Sequence, residues 1–311
     1  MQMRAKFDFP IYFNKDVFFK VLPYHMVRGL QIMRAKVNRC DCVIEIRDAR
    51  VPLSCLNPDF EDLYVRKPRI ILINKIDLAD FSKTQSLAKS IESKNTPVIF
   101  TNSKTHFEES ANQLLPLLKD IFTHSNEIEA KEKNIQQIKL RDKQYQVLVC
   151  GIPNVGKSSF INAARRHYMS CGGKATRVGK LPGVTKSVLN YINISRSPRI
   201  RILDTPGISV PHIEDPFVGI KLALTGTFPD HVIGEEVIAD FLLYFLNKEN
   251  NLKYLDFCGL DFPCDEFDAV IKSLASKYNL RKYNGDPDYR KCSIMFVKAF
   301  REKQFGRFTL D

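Results

Sequence analysis

Residues 151–158 read Gly151-Ile-Pro-Asn-Val-Gly156-Lys157-Ser158, and no other run restricts the fold of this chain as tightly. The pattern G-x-x-x-x-G-K-[ST] works only where a buried strand ends and a helix begins, because successive backbone N–H groups must turn inward around phosphate oxygens at the helix N-terminus. Both flanks comply: 145–150 is a short apolar run, and 157–166 has helical spacing. In such a loop Lys157 lays a fixed positive charge on the β- and γ-phosphates and Ser158 offers its hydroxyl to Mg²⁺. Asn154, Val155, Gly156 and Ser159 complete the stretch that would touch the phosphates.

Five more strand-like segments occur at 42–46, 69–73, 98–101, 189–194 and 199–203. All but one are apolar runs of the kind buried on both faces of a parallel sheet, whereas 189–194 alternates and suits an edge. Helical patterns at 86–93, 109–122 and 157–166 separate them, which predicts a doubly wound α/β fold with a mostly parallel sheet. After Gly207 the pattern changes to helices alone, at 217–224, 235–246, 266–278 and 289–303. The expected organisation is an N-terminal extension (1–22), a nucleotide-binding domain (23–210) and a small all-helical C-terminal domain (211–311). The polar, charged stretch 124–144 reads as a surface linker.

The choice of base comes from Asn74-Lys75-Ile76-Asp77, at the end of an apolar strand, which resembles the N-K-x-D guanine box of GTPases. Asp77 can accept from the ring N1–H and the exocyclic amine of guanine, a donor pair that adenine lacks. Asn74 would tether the loop, and Lys75 would lay its stem over the base. Asp204-Thr205-Pro206-Gly207 resembles the D-x-x-G switch, with Asp204 holding Mg²⁺ through water and the Gly207 N–H bonding the γ-phosphate. Gly183-Val-Thr185 resembles the first switch, with Thr185 as the second protein ligand of the metal. Asn102 and Ser103 stand where the S-A-K guanine loop is expected, although the residues depart from that pattern.

The order of these motifs is unusual. The guanine box precedes the phosphate loop, so the chain reads as a circularly permuted P-loop GTPase. Such a shift requires only that the usual chain ends be joined and a new break opened. The joint falls between 104 and 145, and the break falls just after Gly207, which leads straight into the helical domain.

The chain carries 47 Lys and Arg against 35 Asp and Glu, a formal net charge of +12, and no apolar run long enough to span a membrane. Between 131 and 201 there are 15 basic and 2 acidic residues, more than one nucleotide requires, which favours a nucleic acid as a second anionic partner. The segment 277–307 has nine basic residues against three acidic ones. It is interleaved with Tyr278, Tyr283, Tyr289, Phe296 and Phe300, and serves either as an RNA surface or as helix core. The eight cysteines have neither zinc nor redox spacing and read as buried thiols.

Pro23-Tyr-His25-Met26, Asp48-Ala-Arg-Val-Pro52, the five nucleotide motifs, Lys174-Ala-Thr-Arg-Val178 and Gly234-Glu-Glu-Val-Ile-Ala-Asp240 together resemble the circularly permuted GTPases of the YlqF type. Those proteins assist assembly of the large ribosomal subunit, and the resemblance is strongest to their mitochondrial, ribosome-associated branch. It implies that no glutamine orients the attacking water, since Ile208 follows Gly207, and that His25 takes part in catalysis. It also implies that Asn154 holds K⁺ beside the phosphates. Implied partners are GTP and GDP together with the organellar large subunit and its rRNA. The implied location is the mitochondrial matrix or the matrix face of the inner membrane, with peripheral membrane association and a monomeric state. Two other readings are a GTP-binding membrane regulator of negligible turnover and a GTP-dependent RNA-modification factor. The second predicts a further catalytic cluster outside the GTPase motifs, and the sequence holds none.

Overall fold

The computed structural model describes residues 3–11, 13, 24–58, 60, 67–92, 96–170, 191–205, 207–208 and 213–311, with only the backbone path given at 24–29 and 32. The chain forms two compact units: one from the described parts of Val21–Pro211 with Phe308–Asp311, the other from those of Met1–Lys20 with His212–Arg307.

The first unit is built on six described strands: β1 (Cys42–Asp48), β2 (Arg69–Asn74), β3 (Val98–Thr101), β4 (Gln144–Cys150), β5 (Tyr191–Arg196) and β6 (Arg199–Asp204). They lie in the order β3-β2-β1-β4-β6-β5, and every pairing is parallel except β5 with β6. Val43, Ile44, Ile46, Ile71, Leu72, Ile73, Val147, Leu148 and Val149 are fully buried, as central strands covered on both faces must be. Numbered from β4 and carried round through the chain ends, the spatial order becomes 2-3-1-4-5-6, with the phosphate-loop strand near the middle. Permutation has thus changed where the chain is cut and left the sheet intact. The alternating segment is the antiparallel edge strand β5, with inward Ile192 and Ile194 buried and Tyr191 and Asn193 exposed.

The segment expected to be a linker is more structured than its composition suggests. The helix Glu108–Glu132 runs through its first nine residues, and β4 begins at Gln144. Phe122, Asn126 and Ala130 recur every four residues on the inward face. Phe122 stacks on Tyr145 with ring centroids 4.1 Å apart, and Asn126 Nδ2 donates to Tyr145 Oη at 2.6 Å.

Residues 308–311 add a short clasp to this unit. Thr309 Oγ1 lies 2.7 Å from Thr84 Oγ1, Leu310 N donates to Arg50 O at 2.7 Å, and the Asp311 carboxylate accepts from Leu53 N, Ser54 N and the Ser54 hydroxyl.

The second unit is helical, with Pro216–Leu224, Glu235–Lys248, Phe267–Tyr278 and Tyr289–Arg301 as its longer elements. Arg301 ties its parts together, pairing with Asp230 at 2.6 Å and donating to the Leu224 and Ala223 carbonyls at the end of the helix Pro216–Leu224. Residues near the N-terminus, read in the sequence as an extension, pack into this unit. Phe7 is buried edge-on against Phe241, and Arg4 bonds both Asp240 and Asp265. Of the aromatics offered as an RNA surface, Phe296 and Phe300 are core, whereas Tyr278 and Tyr283 are exposed. Six of the seven described cysteines are buried, all seven are free thiols, and no metal-binding cluster occurs among the described residues.

Candidate nucleotide site

Parallel strands in register deliver their loops to one edge. The ladder pairs Asp48 with Asn74, Asn74 with Thr101, and Val149 with Asp204, so the guanine-box, phosphate and switch loops all leave the sheet at its carboxyl end.

The phosphate loop is held by what its glycines permit. Gly151 has φ +141° and Gly156 φ +104°, and a Cβ on Gly156 would lie 2.2 Å from Asn74 Nδ2, so no side chain fits there. Asn74 occupies that space for a reason: its amide donates to Val155 O at 2.8 Å while its Oδ1 accepts from Ser103 N at 3.1 Å. One buried side chain therefore ties the guanine box to the phosphate loop and to the 102–105 loop.

Lys75 adopts a left-handed backbone, φ 64°, and sends its ammonium to Asn154 O at 2.5 Å and Asp48 Oδ2 at 2.8 Å. Asp48 is fully buried and is also gripped by Arg50, through Nε at 3.0 Å and Nη2 at 2.8 Å. The motif Asp48-Ala-Arg-Val-Pro52 is therefore the electrostatic floor under Lys75, a role the sequence did not disclose. The available signal was charge inside an otherwise apolar strand. Asp77 sits half-buried in the turn Ile76–Leu78, and its carboxylate has no hydrogen-bond or ion-pair partner among the described residues.

Lys157 is buried, and its ammonium donates to Gly151 O at 3.0 Å and Ile152 O at 2.8 Å. Burial lowers its pKa to about 8, against the pull of Asp204, and burial raises Asp204 to about 6. Gly207 closes on the loop, since a Cβ there would stand 2.8 Å from Pro153 Cα and 2.9 Å from Lys157 Nζ. The Oδ1 atom of Asp204 is buried without a hydrogen-bond partner. An orphaned carboxylate oxygen next to a Ser158-bearing loop is a donor set suited to Mg²⁺, which takes few protein ligands and keeps its waters. Ile208 lies wholly inside an apolar cluster with Leu30, Met33, Val37, Val43, Phe60, Leu148 and Leu203. It cannot orient a water.

The 102–105 loop holds its side chains close to its own backbone. The Asn102 carboxamide is spent locally, donating to Thr105 Oγ1 at 2.7 Å and accepting from Lys104 N, while the Ser103 hydroxyl is buried and without a partner. His25 is the second residue of the helix Tyr24–Val37, and its side chain lies outside the described residues, as do Thr185 and the whole of 171–190.

The comparisons with known proteins agree on what this geometry serves. A family model described as 50S ribosome-binding GTPase matches residues 146–273, starting in the strand that leads into the phosphate loop. The mitochondrial ribosome-associated GTPase 1 of Ictalurus punctatus is 38% identical over 301 residues, covering 93% of this chain and 91% of its own. The chain belongs to the mitochondrial ribosome-associated GTPase 1 family. The Xenopus tropicalis member is 37% identical with 93% of each chain covered, and the ribosome biogenesis GTPase A of Bacillus licheniformis is 30% identical over 289 residues, covering 93% and 96%. The GNP-bound YlqF structure from T. maritima superposes with a TM-score of 0.58 at 23% identity, covering 91% of this chain and 97% of that one. Fold and family thus agree on a circularly permuted P-loop GTPase that hydrolyses GTP with Mg²⁺. Its kinship is mitochondrial.

Proposed function

We propose that this chain assists assembly of the mitochondrial large ribosomal subunit in the matrix or on the matrix face of the inner membrane, and that the particle stimulates its GTP hydrolysis. The observation that supports the reading is a nucleotide site in which, among the described residues, no side chain follows Gly207 to position water. Asn74, Lys75, Lys157 and Asp204 converge, while Ile208 is locked in the core. An enzyme arranged in this way turns over slowly alone, on the order of 10⁻⁴ to 10⁻² per second, and needs help from its target.

The roles follow from placement. Asp77 and the 102–103 backbone read guanine, with the Lys75 stem over the base. Lys157 leaves its two loop carbonyls for the phosphates, and the Gly207 N–H meets the γ-phosphate. Ser158, Thr185 and Asp204, the last through water, hold Mg²⁺, which neutralises charge on the β- and γ-phosphates when bound. Asn154 supports K⁺ as a fixed positive charge beside them, and His25 assists the attacking water.

Two results test the site. Asp77→Asn is expected to weaken GTP and shift preference toward xanthosine triphosphate, because the amide presents a donor where guanine also presents one. Unchanged GTP affinity in equilibrium titration would remove the guanine-box assignment. Lys157→Ala and Ser158→Ala both lose hydrolysis, yet only the serine variant should need more Mg²⁺. Superimposable Mg²⁺ titrations would contradict those separate roles. The reading as a whole is decided by turnover measured with and without purified large-subunit precursors, where equal rates would rule it out.

A further inference from the structure

The basic excess between 131 and 201 is only partly used by the nucleotide site. Lys157 belongs to the phosphate loop, Lys133 and Lys143 pair with Glu129, and the Arg201 guanidinium lies 4.1 Å from the centre of the Tyr191 ring. Four of the remaining cations gather in one place. Lys139 precedes and Arg141 lies within the short turn Leu140–Asp142 before β4, while Arg196 and Arg199 sit at the turn between β5 and β6. Lys119, from the helix Glu108–Glu132, joins Lys139, Leu140, Arg141, Ser197 and Pro198 in lining an open cleft of about 320 Å³.

Three observations distinguish this cleft from an ordinary solvated surface. Arg196 and Arg199 are direct cross-strand partners in an antiparallel ladder, where like charges oppose each other at a cost. Among the described residues no carboxylate pairs with Lys119, Lys139, Arg196 or Arg199, and Arg141 reaches only its exposed neighbour Asp142 at 3.8 Å. The Arg199 side chain instead donates to the Arg141 carbonyl at 3.5 Å, which holds the two strands' cations side by side. The cleft also lies at the amino end of β4, some seven residues or about 20 Å from the phosphate loop at the other end, so nucleotide phosphates cannot be its ligand.

The geometry points to a docking cleft for an RNA phosphodiester backbone, separate from the nucleotide site: Lys119, Lys139 and Arg141 line it, and Arg196 and Arg199 stand on either side of its lining residues Ser197 and Pro198. The inference deepens the ribosomal reading proposed above by giving its RNA a landing place on the GTPase unit. Cations from two segments lining a concavity, with Arg196 and Arg199 next in the chain to its other lining residues, match a ridge of spaced phosphates, and contacts to phosphate position a protein without reading sequence. A flat anionic lipid surface would meet the rim of such a cleft rather than its lining.

The test uses the full chain loaded with GDP and a fluorescein-labelled RNA hairpin, with anisotropy followed across a KCl series. Replacing Lys139, Arg141 and Arg199 together by glutamine is expected to lower affinity at least tenfold at low salt and to reduce the log–log salt slope by about 2 to 3. A matched triple variant at Lys131, Arg165 and Arg166 should keep the wild-type slope, and GDP binding by both should be unchanged, which certifies the fold. An unaltered salt slope in the cleft variant would overturn the inference. So would loss of binding to phosphatidylserine vesicles with RNA binding intact, because that result assigns the cleft to a membrane. If the cleft variant loses RNA while wild-type protein ignores ribosomal precursors, the cleft stands and the ribosomal reading falls.

Discussion

Asp48→Ala is expected to destabilise the GTPase unit by about 3–5 kcal/mol, the cost of leaving a buried cation without its partner. The carboxylate is fully buried and receives Arg50 through two side-chain bonds and one backbone N–H, as well as Lys75. Burial alone would push its pKa up, but the Arg50 and Lys75 charges more than offset this and hold it well below the usual carboxylate range. A depressed carboxylate contributes stability above its unfolded pKa of about 3.9 and loses it only as pH falls below that value, so the full penalty should appear at neutral pH. Arg50 is itself 3% exposed and has nowhere to take its charge. Urea denaturation at pH 7 measures the effect, and a midpoint within error of wild type would show that the network carries no stability. Asp48→Ala should also weaken GTP, because Lys75 loses the partner that holds it under Asn154.

His25→Ala is expected to leave nucleotide affinity and particle binding intact while removing most of the particle-stimulated rate, a loss of about 10²- to 10⁴-fold if the imidazole acts on the attacking water. The helix that begins at Tyr24 rests through Leu30, Met33 and Val37 on the cluster that contains Ile208, so the histidine's helix and the second switch share one packed support. Single-turnover assays with and without large-subunit precursors separate chemistry from binding. Full stimulation in the variant would mean that the water is positioned by another group.

Much of this architecture was legible because central parallel strands leave an unmistakable record. Runs such as 69–73 and 145–150 are apolar on both faces, and the structure places β2 and β4 within a residue of them. The phosphate loop, the guanine box and the second switch were legible for the same reason, since each follows such a run, whereas the first switch at 183–185 lies outside the described residues. What stayed hidden depended on partners distant in sequence. The stripe of Phe122, Asn126 and Ala130 extends a helix into the expected linker, yet an asparagine and an alanine look like surface until Tyr145 arrives to meet them. Residues 308–311 have no periodicity to announce that they belong with the GTPase unit. A chain cut after Ile208 would lose that clasp on Arg50 and Thr84.

Ile208 has no exposure at all and is surrounded by side chains packed at the density of a crystal. Its neighbour Gly207 is the residue proposed above to approach a γ-phosphate. Loose flaps can follow a ligand by small degrees, but a peg seated in a close-fitting socket cannot creep. It stays or it changes seat, and the helix starting at Tyr24 forms one wall of that socket. The presence of the third phosphate would therefore be converted from a graded electrostatic signal into an all-or-none choice between two packings, felt at the same moment by the segment that carries His25.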